Sequence, residues 1–339
     1  MSAVGAAVQV SGPWYEELEV GQRFDSAPGL TLTDGHAALH QAIVGDRLRL
    51  PLDAHLCAQV AGGDRPLAHP ALVCDVAIGQ STLATQRVIA NLFYRGLVLR
   101  RAPMIGDSLR TVTEVVALRD TSPRPERPPS GLAVLRVRTV DQLDRPVLDF
   151  HRCAMLPMSD ESARPGHADD LDRISAELPP DALRASIAGW DLAAFRALVP
   201  GPHAESIAPG NRFEIESGDT VTAAPELVRL SLNVAAAHSD PSAGGRGRRL
   251  IYGGHTIGIA LAHATRALPN LVTVAGWRSS DHLGPVFEGD VLYSAVTVEA
   301  VEPLTDGGAL LNLRVETAAK RAEGGRQAVL DWRLVSVMV

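Results

Sequence analysis

Cysteine is scarce in this sequence. Only Cys57, Cys74 and Cys153 are present, scattered and odd in number. They match no zinc spacing and no paired disulfide framework, so the expected setting is a reducing one, the cytoplasm. Long apolar runs are also missing. None reaches the length of about 18 residues that a membrane-spanning helix needs. Positive charge is not in excess: the formal net charge is -7, so the chain as a whole has no attraction for nucleic acid. Lysine is reduced to Lys320 among many arginines, a bias of composition rather than of mechanism. The stretch from Met1 to Gln9 is apolar and lacks a basic leader, so no signal peptide is expected there.

What is present suits two folded units. The 339 residues are 46% hydrophobic and 21% charged, enough apolar side chain for a core in each half. The chain also repeats itself once. Val20-Gly21-Gln22-Arg23-Phe24 precedes Thr31-Leu32-Thr33, and Pro209-Gly210-Asn211-Arg212-Phe213 precedes Thr220-Val221-Thr222 at the same offset. Further on, Ala102 to Asp107 matches Gly284 to Asp290. Each match leads into strand-like alternation, Ser108 to Ala117 and Val291 to Val301, and Pro146 to Met155 and Arg326 to Met338 close the halves. Two longer helices are expected. One starts at Pro70, with Leu72, Val76 and Leu83 on its apolar face. The other carries Ile257, Leu261, Ala264 and Leu268 at helical spacing. The spacing predicts an α+β chain in which an antiparallel sheet wraps a long helix, twice: residues 1–158, a linker over 159–204, and residues 205–339. Asp181 to Leu198 is expected to be helical, and Thr121 to Ser130, with four prolines, to be an exposed hairpin loop.

Two stretches could carry chemistry. Arg249 to His255 opens the second long helix through Tyr252, Gly253 and Gly254. Paired glycines let a backbone come close to a ligand, and the free N–H groups of a helix start favour a developing negative charge. The same glycines would equally serve only to turn the chain. Upstream stand Asn233 and, five residues later, His238. An imidazole can move a proton near neutral pH, whereas an amide can orient water but not deprotonate it. A histidine satisfied within the core is the competing reading. Arg246, Arg248 and Arg249 form a basic cluster able to grip phosphates or simply to be solvated. The Asp281-His282 pair reads as structural.

On these residues the chain resembles the MaoC-like (R-specific) enoyl-CoA hydratases in their double-hotdog form. The family motif Asp-x-Asn-Pro-x-His falls on Asn233 to His238, with Asn233 at the aspartate and Ala235 and Ala236 at the asparagine and proline. The helix-start glycine falls on Gly254. Pro285 to Asp290 is also typical, and the run Arg248 to His255 points to the mesaconyl-CoA hydratase (β-methylmalyl-CoA dehydratase) branch. The resemblance implies a lyase that hydrates or dehydrates an acyl-CoA. Gly254 would hold the thioester oxygen with Gly253 nearby, His238 would move protons, and Asn233 would orient water. Tyr252, His255, Arg248 and Arg249 would contact the substrate. No cofactor is implied beyond the coenzyme A of the substrate. An acyl carrier protein stays open as the carrier, and a monomeric double hotdog and a homodimer stay open as assemblies.

The first half departs from the pattern. Asp46 falls at the aspartate, but Pro51 stands where the histidine belongs and His69-Pro70 replaces the usual His-Gly. Proline has no N–H to offer. This half is therefore expected to have lost the chemistry and to shape the substrate tunnel, with Asp46 in a turn or binding a partner and His69 lining a pocket. Two other functions stay open. A hotdog thioesterase would use a carboxylate on the central helix, here Asp75, although an Asp there more often caps a helix or faces solvent. A non-catalytic acyl-thioester-binding module would account for Asn233 in place of an acid.

Overall fold

The computed structural model describes residues 7–8, 10–122, 128–160, 162, 164–243, 247–305, 307–321 and 324–339. Arg246, the centre of the expected exposed loop and most of the N-terminal stretch lie outside the described residues.

In the first half, β1 (Arg23–Phe24), β2 (Leu30–Thr31) and helices α1 (Asp34–Val44), α2 (Arg49–Leu52) and α3 (Ala54–Val60) lead to the long helix α4 (Pro70–Gln80). Strands β3 (Ala90–Leu99), β4 (Ser108–Asp120), β5 (Ser130–Val140) and β6 (Pro146–Pro157) follow. Helices α5 (Pro180–Ala185) and α6 (Leu192–Leu198) lie in the connection. The second half repeats the order: β7 (Arg212–Glu214), β8 (Asp219–Thr220), α7 (Ala224–Leu230), α8 (Ala236–Ser239), the long helix α9 (Gly253–Ala267), then β9 (Leu271–His282), β10 (Val291–Pro303), β11 (Ala309–Lys320) and β12 (Arg326–Met338).

All strands pair antiparallel in one 12-stranded sheet ordered β1-β4-β5-β6-β3-β9-β12-β11-β10-β7, with β2 on β4 and β8 on β10. The two hotdogs meet at β3 and β9, where Tyr94 faces Ser280 and Leu97 faces Trp277. The repeat seen in the sequence is a repeat of register. Phe24 faces Thr113, and Phe213 faces Val296. The matched turns are alike too. Gly106 and Gly289 have φ of 99° and 89°, and Asp107 and Asp290 accept the N–H of Met104 and Phe287 at 2.9 and 3.0 Å. Only glycine adopts that left-handed backbone without strain.

Helix α4 is buried at every residue, so it has no single apolar face: the sheet lies on one side and α9 and the chain before it on another. Contact is close. A Cβ at Gly79 would lie 1.7 Å from the carbonyl oxygen of Ser231. Leu183, Ile187 and Phe195 of the connection cover the opposite side of the sheet at Val98, Ala275 and Val335.

Candidate active site

The two long helices begin in opposite ways. At α4 the cap is His69. Its Nδ1 accepts the N–H of Ala71 at 3.1 Å, and its Nε2 therefore carries the proton and donates to Asp46 Oδ1 at 2.8 Å. Asp46, fully buried, also accepts the Leu48 N–H at 2.7 Å and the Thr265 hydroxyl at 3.2 Å. Burial pushes its carboxyl up, but His69 and those donors outweigh it, leaving the group below the usual range. Pro70 contributes no N–H. The first mouth is thus closed by its own residues.

At α9 the cap is Tyr252, which makes no side-chain cap. Among the described residues, no acceptor takes the N–H of Gly253 or Gly254. These are the orphan donors of a helix start. His238 stands beside them. Its ring meets the Tyr252 ring edge-on, with centroids 5.9 Å apart, and its Nδ1 lies 3.1 Å from the Leu250 carbonyl. A carbonyl can only accept, so Nδ1 carries the proton and Nε2 keeps a free lone pair. Burial, opposed by the Leu250 bond and aided by the Arg152 charge, lowers the pKa of His238 to about 4. Asn233, also buried, spends its Oδ1 on the Ala235 N–H at 2.9 Å and leaves Nδ2 without a partner. The segment is held against the first half by the Val234 N–H on Thr82 Oγ1 at 2.9 Å. This mirrors the Arg47 N–H on Thr265 Oγ1 at 3.2 Å.

The floor under each mouth comes from strand pairs in matching register. On one side of the seam Leu334 faces Trp277, and on the other Arg152 faces Tyr94. Beneath the closed mouth, Pro70, Ala71, Cys74, Ile257, Trp277 and Trp332 line an apolar void of about 10 Å³. Beside the open mouth lies a buried cation. Arg152 is 3% exposed, donates to the Ser81 carbonyl and to Thr85 Oγ1, and has no carboxylate within ion-pair distance among the described residues.

The structure adds groups that pattern reading did not place here. Asp75 neither caps a helix nor faces solvent, contrary to expectation. It is 2% exposed, with its carboxylate against Gly254. His40 Nε2 lies 3.3 Å from Asp75 Oδ2 without completing a hydrogen bond. His282 puts its ring against Gly253, and its Nε2 is sealed from solvent and unpartnered. Tyr252 Oη and both ring nitrogens of His255 are also buried without partners. Burial and the nearby His40 lower His255 to about 4. The available signal was charge out of place: an Asp inside PALVCDVAIGQ and an Arg inside a core strand.

At the rim, Val221, Pro241, Gly247, Arg248, Arg249 and Glu288 border an open groove of about 380 Å³. Arg248 pairs with Asp290 at 3.0 Å, as Arg65 pairs with Asp107 at 2.9 Å in the other half, and Arg249 pairs with Glu288.

No protein-family model matches the chain. It is 28% identical over 331 residues to the β-methylmalyl-CoA dehydratase of Chloroflexus aurantiacus, covering 91% of this chain and 88% of that one. It is 26% identical over 351 residues to the mesaconyl-CoA hydratase of Cereibacter sphaeroides, covering 96% and 98%. Among solved structures, a conserved hypothetical protein of Mycobacterium tuberculosis described as a double hotdog is 54% identical, with a TM-score of 0.91 over 98% of this chain and 100% of that one. A protein described as a MaoC domain dehydratase from Chloroflexus aurantiacus superimposes with a TM-score of 0.86 at 24% identity, over 98% and 99%.

Proposed function

Because the chain belongs with the double-hotdog proteins, we propose that it is a MaoC-like hydratase that adds water to, or removes it to form, the double bond of a 2-enoyl thioester of coenzyme A. The observation that carries this reading is the contrast between the two helix mouths. One is filled by His69 and Asp46. The other offers the free N–H groups of Gly253 and Gly254 with an imidazole lone pair alongside.

In the hydration direction the thioester oxygen rests on those N–H groups. They stabilise the negative charge it gains as the double-bond electrons move toward it. The unpartnered Nδ2 of Asn233 donates to the attacking water and orients it. His238 Nε2 takes one of the water protons as the oxygen bonds to C3, and C2 then receives a proton. Two relatives are named for mesaconyl- and methylmalyl-thioesters, acyl groups that carry a second carboxylate. Arg152, buried beside the open mouth without a counter-ion among the described residues, is the group suited to meet that carboxylate. Arg248 and Arg249 border the groove through which the coenzyme would enter, and they keep donors beyond those bound to Asp290 and Glu288. No cofactor takes part in this scheme. Both halves come from one chain, so the proposed site is complete in a monomer. Three buried free thiols suit the cytoplasm.

The test is His238→Ala assayed on crotonyl-CoA and mesaconyl-CoA, following loss of the enoyl absorbance. The expected outcome is a kcat lower by at least about 100-fold. Unchanged turnover in this variant removes the assignment.

A further inference from the structure

The family's aspartate position is held here by Asn233, which cannot carry a proton, yet water addition needs two proton movements, one at oxygen and one at C2. We propose that the missing acid comes from the other half of the chain: Asp75 of α4, seated against Gly254, moves the carbon-bound proton while His238 moves the oxygen-bound one. This rests on the hydratase reading above.

Four observations support it. Asp75 is 2% exposed in a helix whose every residue is buried, so it is not there for solvation. No arginine or lysine pairs with it among the described residues; its one ion-pair contact is His40 of α1, and its Oδ2 is unpartnered. Burying a carboxylate this way is costly, and buried groups kept without a partner are a mark of function. Third, its Oδ1 occupies the side-chain side of Gly254: a Cβ there would lie 2.1 Å from Oδ1 and 2.4 Å from Tyr252 Cε1. The glycine at the thioester-holding position therefore also makes room for the carboxylate. Fourth, Tyr252 bridges the two proton carriers. Its ring lies against the same point as Asp75 and edge-on to His238, and its hydroxyl is unpartnered.

The groups facing Asp75 are His40 from α1, Tyr94 from β3, Tyr252 with Gly254 from the start of α9, and its own neighbour Cys74. Burial depresses His40, and the Asp75 charge offsets only part of that, so His40 backs the carboxylate as a neutral ring.

Protons balance if Asp75 and His238 hold one between them. Hydration starts with it on Asp75. His238 takes a proton from water as the C3–O bond forms, and the double-bond electrons move onto the thioester oxygen. The enolate collapses as the Asp75 carboxyl gives its proton to C2. Transfer of the proton from the His238 imidazolium to the Asp75 carboxylate then resets the pair. Dehydration runs the same steps backwards.

The experiment compares the wild-type chain with Asp75→Asn in hydration of mesaconyl-CoA and crotonyl-CoA, in binding of unreactive butyryl-CoA, and in melting temperature. The expected result is a kcat at least about 100-fold lower, butyryl-CoA affinity within about threefold, and a melting temperature equal or higher, because the amide keeps the shape of the side chain and carries no charge to bury. A kcat within about threefold of wild type overturns the role of Asp75 and leaves the hydratase reading standing. A fall in melting temperature together with lost butyryl-CoA binding makes Asp75 structural and also overturns it. A wild-type chain that hydrates neither thioester but releases free thiol, with release lost in Asp75→Asn, overturns both readings in favour of thioester hydrolysis.

Discussion

An added methyl group at Gly254 would have nowhere to go. Its carbon would fall within 2.1 Å of Asp75 Oδ1 and 2.4 Å of the Tyr252 ring, neither of which is the free end of a flexible chain. The expected cost of Gly254→Ala is about 1–3 kcal/mol, the range for overpacking a tight interior site. Activity should fall further than stability, since the same displacement moves the N–H donors and the carboxylate. Urea unfolding beside kcat for the variant checks this; a stable variant with full activity would mean the mouth is looser than the contacts indicate. Asn233, His238 and Gly254 were legible as residues because they lie close together along the chain in a recognisable order. His40, Arg152 and His282 were not, and Asp75 was weighed only as the carboxylate of a thioesterase. Each reaches the site across a helix–helix or strand–strand contact, and the direction of a side chain at such a contact depends on packing that no local spacing encodes. The Asp281-His282 pair reads as structural in the sequence, and the fold places the sealed Nε2 of His282 against Gly253.

At the scale of elements, the matched segments around β1 and β7 and the glycine turns at Gly106 and Gly289 were readable because both copies keep the same turn chemistry. The central seam was not. In β9 seven consecutive residues from Leu271 are buried, since α9 lies on one face and the α5–α6 connection on the other, and a strand covered on both faces loses its alternation. In β3 the register breaks between Arg95 and Val98, where Gly96 has φ of 62°, so the period of two is interrupted in the sequence itself. Yet this seam sets the difference between the two floors. Arg152 faces Tyr94 where the other half has Leu334 facing Trp277. Arg152→Leu copies into the open site what the closed one already holds. The expected outcome is a chain that folds and still hydrates crotonyl-CoA within about tenfold, but loses about 100-fold in kcat/KM for mesaconyl-CoA, the loss of a charge-assisted pair of about 3 kcal/mol. Equal losses on both thioesters would assign Arg152 to holding Ser81 and Thr85 instead.

For the whole molecule, the relevant quantity is how many imidazoles folding buries in neutral form. His238, His255, His263 and His282 are each lowered from 6.5 to about 4, with burial as the largest cause in every case. At pH 7 these rings are neutral in both the folded and the unfolded chain, and nothing is lost. As pH falls below 6.5 the unfolded chain takes up protons that the folded one refuses until about 4, so stability declines throughout that window. The buried Asp46 acts lower down: its carboxyl is held below the usual range, so its contribution goes only once pH falls under that of an ordinary aspartate. Each fully responding imidazole contributes a slope of about 1.4 kcal/mol per pH unit. Even two acting together would consume a large share of a typical stability of about 5–15 kcal/mol before pH 4. The chain should therefore lose stability steeply between pH 6.5 and pH 4, and unfolding near pH 5 should be accompanied by uptake of two or more protons by this order-of-magnitude reckoning. His255→Asn removes one of these imidazoles at a position where both ring nitrogens lack partners, so the slope should flatten by about one proton. Urea midpoints at pH 7, 6 and 5 for the wild type and this variant measure both slopes. A flat profile across that range would mean that the four rings reach water in the folded state, and the burial described for them above would not hold in solution.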